Sequence, residues 1–145
     1  TQIKAPLEVE KRIASKPKGV KIKLKSSQVF VVKFFPFLRN LKKKIVKIVL
    51  LEPKLQLIID LAISKGSLNA SIVHPRELMT SKTRESATSF GLIHNHPSGE
   101  PTPAKKYFEV TDRLNQTGKI IGIHIVDHII IGVNGFFSFS DEGLL

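Results

Sequence analysis

The chain alternates short apolar runs with longer amphipathic stretches, and this order restricts the fold more than any other feature of its sequence. Apolar runs at residues 45–51, 55–63, 90–93 and 120–132 are rich in Ile, Leu and Val, as buried strands are. Helices are expected between them, from Pro75 to near Ser89 and over residues 104–117, with Gly118 as the stop. The resulting order β–β–α–β–α–β–β predicts an α/β (α+β) protein with a mixed β-sheet flanked by helices.

Turn-forming residues divide the apolar runs. Glu52-Pro53-Lys54 predicts a hairpin between the first two strands, and Gly66 to Asn69 predicts a turn. Asn134-Gly135 is the strongest hairpin signal, and it predicts a return strand with Phe136, Phe137 and Phe139. Residues 20–25 alternate with period two and predict an edge strand with a lysine face. Residues 29–35 have no clear period and stay unassigned, although Ser26 and Ser27 are suitable caps for a short helix.

Positive charge is concentrated in the first third of the chain. Residues 1–50 hold 14 of the 23 Lys and Arg residues but only 2 of the 12 acidic ones. Such a surface favours polyanions through counterion release, whereas the alternative is a set of solvated lysines that maintain solubility. Breakers at Pro6, Pro17 and Gly19 predict a basic arm over residues 1–19, followed by one domain over residues 20–145.

Other classes of protein are disfavoured by composition. The chain has no cysteine, so a metal would have to use His, Asp or Glu. No apolar run is long enough to span a bilayer, and the start is too charged for a signal peptide, so a cytoplasmic location is expected. Because the chain begins at Thr1 rather than methionine, it is expected to be a fragment or a processed form.

The chemically informative segment leaves a buried strand at Gly91 and ends in a loop rich in Pro and Gly at Pro103. In extended backbone, residues two apart point to the same side, so His94 and His96 can aim their rings at one point. Two neutral imidazoles placed in this way can hold zinc at about 2.0–2.1 Å per nitrogen, and a catalytic zinc needs three protein ligands and a water. His-x-His alone is more typical of surface or hydrogen-bonding histidines than of a metal pair.

Four segments together resemble the RadC family: residues 66–77, 94–99, 126–132 and 138–145. The resemblance covers roughly residues 40–145. It implies the JAB/MPN (cytidine-deaminase-like) architecture and the zinc-dependent metallopeptidase or isopeptidase class. That class has the pattern His-x-His-Pro, six residues, Ser-x-x-Asp, with a glutamate base on an upstream strand. The family name also implies a link to DNA repair.

Transferred position by position, the family pattern is incomplete. His94 and His96 match the two histidine ligands, but Tyr107 stands at the aspartate ligand, Ala104 at the serine and Lys44 at the glutamate base. Lysine has no proton acceptor when charged, tyrosine can ligate only as a phenolate with a pKa near 10, and alanine has no donor. The resemblance therefore implies weak or absent zinc and impaired hydrolysis.

Three acidic residues are candidates for a substitute ligand: Glu100, Glu109 and Asp127. Asp127 and His128 are interpreted first as a buried hydrogen-bonded pair and second as a catalytic dyad. His124 is interpreted as a sheet-face residue, His74 as a helix N-terminal contact, and Phe30, Phe34, Phe35 and Phe37 as core rather than a base-stacking platform.

Three functions stay open. The first is a metal-dependent hydrolase of peptide or isopeptide bonds. The second is a pseudoenzyme that binds a peptide or protein partner on the same fold. The third is a nucleic-acid-associated protein that uses residues 11–47 as a basic surface, including the lysines at 21, 23, 25, 42, 43, 44 and 47.

Overall fold

A computed structural model of the chain describes residues 23–65 and 86–145. Its elements are α1 (Ser27–Leu38), β1 (Ile45–Leu51), β2 (Leu57–Lys65), β3 (Ser89–Asn95), α2 (Lys105–Ile121), β4 (His124–Ile131) and β5 (Phe136–Ser138). The predicted arm, the turn at residues 66–69, His74 and almost all of the helix expected from Pro75 lie outside the described residues, as does Lys21 of the predicted lysine strand. Of that strand, Lys23 forms a single bridge with Gln56.

The five strands form one mixed sheet in the order β2-β1-β3-β4-β5. β1 runs antiparallel to both β2 and β3, β3 and β4 are parallel, and β5 returns antiparallel to β4. A parallel pair needs a crossover connection, which α2 supplies between β3 and β4. The predicted α+β fold with a mixed sheet and flanking helices is therefore confirmed, including both hairpins.

Each face of the sheet is covered by one of the two described helices. The α2 face buries alternate residues of the central strands, among them Val46, Ile48, Leu92 and Ile130. The opposite face buries the intervening residues, such as Val49 and Ile93, under α1. Burial of apolar surface on both faces is the main stabilising contribution to such a layered core.

The unassigned stretch after Ser26 forms α1. Ser26 caps this helix, since its hydroxyl accepts a hydrogen bond from the backbone N–H of Val29. Buried side chains recur three or four residues apart, at positions 27, 30, 31, 34, 35 and 38, and this gives the helix its buried face. Phe30, Phe34 and Phe35 are core as predicted, but Phe37 is 72% exposed, so its assignment to the core was wrong.

Two element boundaries differ from the predictions. α2 continues through Gly118 and ends at Gly122, which adopts the left-handed conformation with φ of 78°. Glycine is required at position 118 because the chain passes close to it at Ile123. A Cβ there would lie 2.2 Å from the carbonyl oxygen of Ile123. Ser89 begins β3 instead of ending a helix. Among the described helices, none has both the length and the apolar character needed to cross a membrane.

Candidate functional site

The end of β3, the start of β1 and the first turn of α2 meet at one edge of the sheet. Because β1 is antiparallel to β3 and Val46 pairs with His94, continuing the register by two residues places Lys44 opposite His96. His94 is completely buried on the α2 face, and Tyr107 of α2 is 3% exposed. Four of the residues predicted from the sequence are therefore brought together.

The two histidines present their Nε2 atoms to each other at 3.2 Å. Two nitrogens that bind one tetrahedral zinc at 2.0–2.1 Å each would lie about 3.3 Å apart. The spacing of the imidazole pair therefore fits a zinc ion. The Nδ1 atom of His96 donates to the carbonyl oxygen of Glu100 at 2.9 Å, which leaves its Nε2 free of a proton when the ring is neutral.

The positions facing this pair do not fit zinc. The Tyr107 ring lies with its centroid 4.8 Å from that of His94 and 5.2 Å from that of His96. The hydroxyl of Tyr107 accepts a hydrogen bond from the Lys44 ammonium, which also lies 4.4 Å from the centre of its ring. An aromatic ring and an ammonium group thus lie at the two positions where the resemblance predicts a carboxylate ligand and a base.

Burial and positive charge determine the protonation of these groups. Burial, and after it the nearby Lys106 ammonium, lower the pKa of Lys44 from 10.5 to about 8. Burial is also the largest cause that lowers the pKa of His94 and of His96, and both neighbouring lysines add to it. At pH 7 the imidazoles are therefore neutral, whereas most Lys44 is charged and repels a divalent cation.

The remaining predicted residues stay apart from the pair. Ala104 is the exposed N-cap of α2 and makes no side-chain capping bond. The side chains of Glu100 and Glu109 are exposed, and Asp127 lies on the α1 face, where it lines a cavity with Ser27 and Phe30. Within residues 23–65 and 86–145, no three side chains of His, Cys, Asp or Glu are placed to hold one metal ion.

Asp127 and His128 are both buried, but their side chains point to opposite faces of β4. The hydrogen bond between them runs from the backbone N–H of His128 to the Asp127 carboxylate at 2.7 Å. That carboxylate also accepts from the hydroxyl of Ser138 and the backbone N–H of Ser140. Asp127 therefore holds the turn after β5 through hydrogen bonds. Because its carboxylate does not contact the His128 ring, the alternative of a catalytic dyad is wrong.

Sequence reasoning missed Asn95, which lies between the two histidines and is 1% exposed. Its Oδ1 accepts from the backbone N–H of Ile45 at 2.7 Å, and its Nδ2 donates to the carbonyl of Lys43 at 3.0 Å. Asn95 thus fixes the segment before β1, and with it Lys44, against the end of β3. An amide residue between the two histidines, at the end of a predicted buried strand, was the available signal.

His128 and Thr111 were also missed as parts of the site. The Nε2 atom of His128 lies 3.0 Å from Nδ1 of His94, and its Nδ1 lies 2.5 Å from the Thr111 hydroxyl. The His128 ring stacks on Phe139 at 4.5 Å with an interplanar angle of 6°. Its position within a run of isoleucines indicated burial but not this partner.

Comparison with known proteins finds a matching family model and similar curated proteins. Residues 24–144 match the family model described as the RadC-like JAB domain. Similar curated proteins include a UPF0758 protein of Desulforamulus reducens, 42% identical over 144 residues, with 99% of this chain and 63% of the relative covered. A UPF0758 protein of Clostridioides difficile is 43% identical over 145 residues, with 100% and 61% covered. The chain spans a little under two thirds of the length of these relatives.

Proposed function

The chain belongs to the family of RadC-like JAB domains, and from this premise we propose that it retains the imidazole half of a zinc-metallopeptidase centre and has lost the hydrolytic half. In this proposal it acts as a binding module for a protein or nucleic-acid partner rather than as a competent hydrolase. The contact that carries the proposal is the Lys44 ammonium, hydrogen-bonded to the Tyr107 hydroxyl against the pair of histidines.

The groups opposite the imidazoles cannot carry out hydrolysis. A zinc ion held by His94 and His96 would supply a water of lowered pKa. A charged Lys44 has no lone pair with which to take a proton from that water, and Ala104 has no donor for a developing oxyanion. Removal of one such donor alone typically lowers the rate by about two to three orders of magnitude. Loss of the general base and of a metal ligand would lower the rate of hydrolysis further.

Zinc affinity tests the proposal directly. The wild-type protein should bind zinc weakly, because the pair supplies two ligands beside a cation. Tyr107→Asp should bind zinc at least about ten-fold more tightly, since it adds a carboxylate as a third possible ligand. Lys44→Glu should strengthen binding further in the same background. The measurement is a competition titration against a chromogenic chelator.

Two control variants make this result specific. Gln116→Glu adds a carboxylate to α2 more than two turns from Tyr107 and should leave zinc affinity unchanged. His94→Ala in the Tyr107→Asp background should abolish the gain. Stoichiometric zinc that withstands a mild chelator in the wild-type protein, or peptide hydrolysis by it, would refute the proposed loss of function.

The same edge of the sheet favours a second candidate function, the binding of polyanions such as nucleic acid. Three exposed or half-buried lysines precede β1, and two exposed lysines begin α2, so five lysines surround the site: Lys42, Lys43, Lys44, Lys105 and Lys106. The hydrogen bonds of Asn95 hold the first group beside the second. Lys47 contributes little, because its ammonium pairs with Asp60 at 2.9 Å on the α1 face.

Salt dependence separates this candidate from the first. Affinity for a fluorescent DNA duplex should fall steeply as the salt concentration rises. In a plot of log affinity against log salt concentration, the slope should become shallower by about 0.9 for each phosphate contact removed. A variant with glutamine at positions 42, 43, 105 and 106 should lose most of the slope. A control variant with glutamine at three exposed lysines elsewhere, at positions 33, 54 and 119, should keep it. A salt-independent affinity in the wild-type protein would eliminate this candidate.

A further inference from the structure

Two lysine ammonium groups lie beside one aromatic ring at the edge of the sheet where β3 ends, and we call Lys44 and Lys106 the lysine pair. Their Nζ atoms lie 4.4 Å and 5.1 Å from the centre of the Tyr107 ring. Both charges therefore border the same ring. They repel each other, and water screens this repulsion only in part because Lys44 is half-buried.

The lysine pair has no acidic partner in the part of the chain that the structure describes. Lys44 donates to the hydroxyl of Tyr107, which is neutral and leaves the charge of the ammonium uncompensated. Within residues 23–65 and 86–145, the Lys106 ammonium makes no hydrogen bond or ion pair. By contrast, the ammonium of Lys47 in β1 pairs with Asp60. An anion that contacts both members of the lysine pair would remove the repulsion between them.

The first turn of α2 increases the positive potential at this place. The N-cap residue Ala104 has a methyl group, which cannot accept a hydrogen bond from the free backbone N–H groups of the helix. Acidic residues are favoured in a first turn because they face the positive end of the helix dipole, but this turn has none and begins with Lys105 and Lys106. A bound anion would supply negative charge to the lysine pair and to the helix together.

The exposure of the lysines distinguishes the end of a nucleic-acid strand from its middle. Lys42, Lys43 and Lys105 are exposed, so they can contact phosphates along a strand that passes over the surface. Lys44 is only half-exposed and lies against Tyr107, which is 3% exposed. A phosphodiester is flanked by two sugars, whereas a terminal phosphate projects beyond the last sugar and can reach a recessed ammonium. The terminal monoester also carries about two negative charges at neutral pH, which match the two charges of the lysine pair.

We propose that the lysine pair binds the terminal phosphate monoester of a nucleic-acid strand, while the exposed lysines around it contact the phosphates that follow. The inference deepens the second candidate function and rests on it, because it assigns the end of the strand to one place on the polyanion surface. An ammonium has three N–H donors, so Lys44 can keep its bond to Tyr107 and still donate to a phosphate oxygen. These contacts need no metal ion and no change in the protonation of the imidazoles.

Oligonucleotides that differ only at their ends test the proposal. One single-stranded sequence is prepared with a phosphate at its first nucleotide, at its last nucleotide or at neither, and a fluorescent label is placed inside the strand. Fluorescence anisotropy measures the affinity of each oligonucleotide in a buffer that contains EDTA. A phosphate at one of the two ends should raise the affinity of the wild-type protein by about ten-fold, because it adds charge-assisted hydrogen bonds to two ammonium groups.

Single lysine substitutions separate a terminal site from the general basic surface. Lys44→Gln and Lys106→Gln should each remove the preference for the terminal phosphate. Because the Lys106 side chain is exposed, its replacement leaves the core unchanged. Lys42→Gln should weaken the binding of all three oligonucleotides alike and keep the preference. Lys119→Gln, at an exposed lysine in the last turn of α2, should change neither the affinity nor the preference.

Equal affinity of the wild-type protein for all three oligonucleotides would overturn the proposal and leave the second candidate function intact. A preference that survives both Lys44→Gln and Lys106→Gln would also overturn it, since the terminal phosphate would then bind elsewhere. Failure of the second candidate function gives a different result, because no oligonucleotide would bind even at low salt, and the proposal would fail with it.

Discussion

Asp127 allows a quantitative test of how burial controls a charge in this fold. The side chain is 3% exposed and accepts three hydrogen bonds, from the backbone N–H groups of His128 and Ser140 and from the hydroxyl of Ser138. Burial raises the pKa of Asp127 from 3.8 to about 6, although these hydrogen bonds act in the opposite direction. The folded protein therefore binds this proton more tightly than the unfolded chain does.

The sign of the pH dependence follows from this difference. Protonation of Asp127 stabilises the fold fully below pH 3.8, and this contribution is lost as the pH rises toward 6. A shift of about two pKa units corresponds to about 3 kcal/mol in the free energy of unfolding. Above pH 6 the loss from this group is complete, and its contribution no longer depends on pH.

Asp127→Asn should remove this pH dependence. The amide oxygen can accept from both backbone N–H groups, and the amide nitrogen can donate to the Ser138 hydroxyl, so the local hydrogen bonds are retained. Urea unfolding of both proteins is measured from pH 4 to pH 8, and Asp112→Asn, on an exposed part of α2, controls for the loss of one carboxylate. Parallel curves for wild type and Asp127→Asn would refute the reasoning.

Three further predictions concern positions that the structure explains and the sequence did not. Gly118→Ala should lower the free energy of unfolding by about 1–3 kcal/mol in a urea titration, because the new Cβ would meet the carbonyl oxygen of Ile123. Asn95→Ala should cost about 1–3 kcal/mol and speed hydrogen exchange at the Ile45 amide, which loses its acceptor. Phe37→Ser should change stability by less than about 0.5 kcal/mol, since this ring is 72% exposed.

The strands were predictable because each central strand is a compact apolar run bounded by turn residues. Asn134-Gly135 and Glu52-Pro53-Lys54 fixed the two hairpins for the same local reason. The end of α2 was not predictable in this way. Gly118 looks like a helix stop, but its glycine is required by the close approach of the chain at Ile123, and that contact exists only in the folded protein.

The site was predictable as far as local spacing and family resemblance extend. The spacing of two residues along β3 predicted that the rings of His94 and His96 point to the same place. Counting along the family pattern predicted that Tyr107 and Lys44 lie beside them. The contacts of His128 with His94 and with Thr111 depend instead on the parallel register in which Leu92 pairs with His128 and on the packing of α2 over β4. No local pattern specifies the pairing of residues as distant in the sequence as Leu92 and His128.

The two imidazoles and the groups that face them rest on different parts of the fold, so the proposed loss of hydrolysis would not require a loss of structure. His94 and His128 lie inside the paired central strands β3 and β4, where both rings are completely buried. Lys44 precedes β1, and Ala104 is an exposed N-cap, so their side chains can change without disturbing a strand or the core. Tyr107 is the exception, because its ring packs among the buried apolar residues under α2.

Restoring the family residues at positions 44 and 104 should therefore cost little stability, whereas Tyr107→Asp places a carboxylate in a space shaped by a ring. That carboxylate becomes favourable only when a metal or the Lys44 ammonium pairs with it. Zinc should consequently raise the midpoint of thermal unfolding of Tyr107→Asp far more than that of the wild-type protein, and an equal rise in both would show that position 107 does not face the metal.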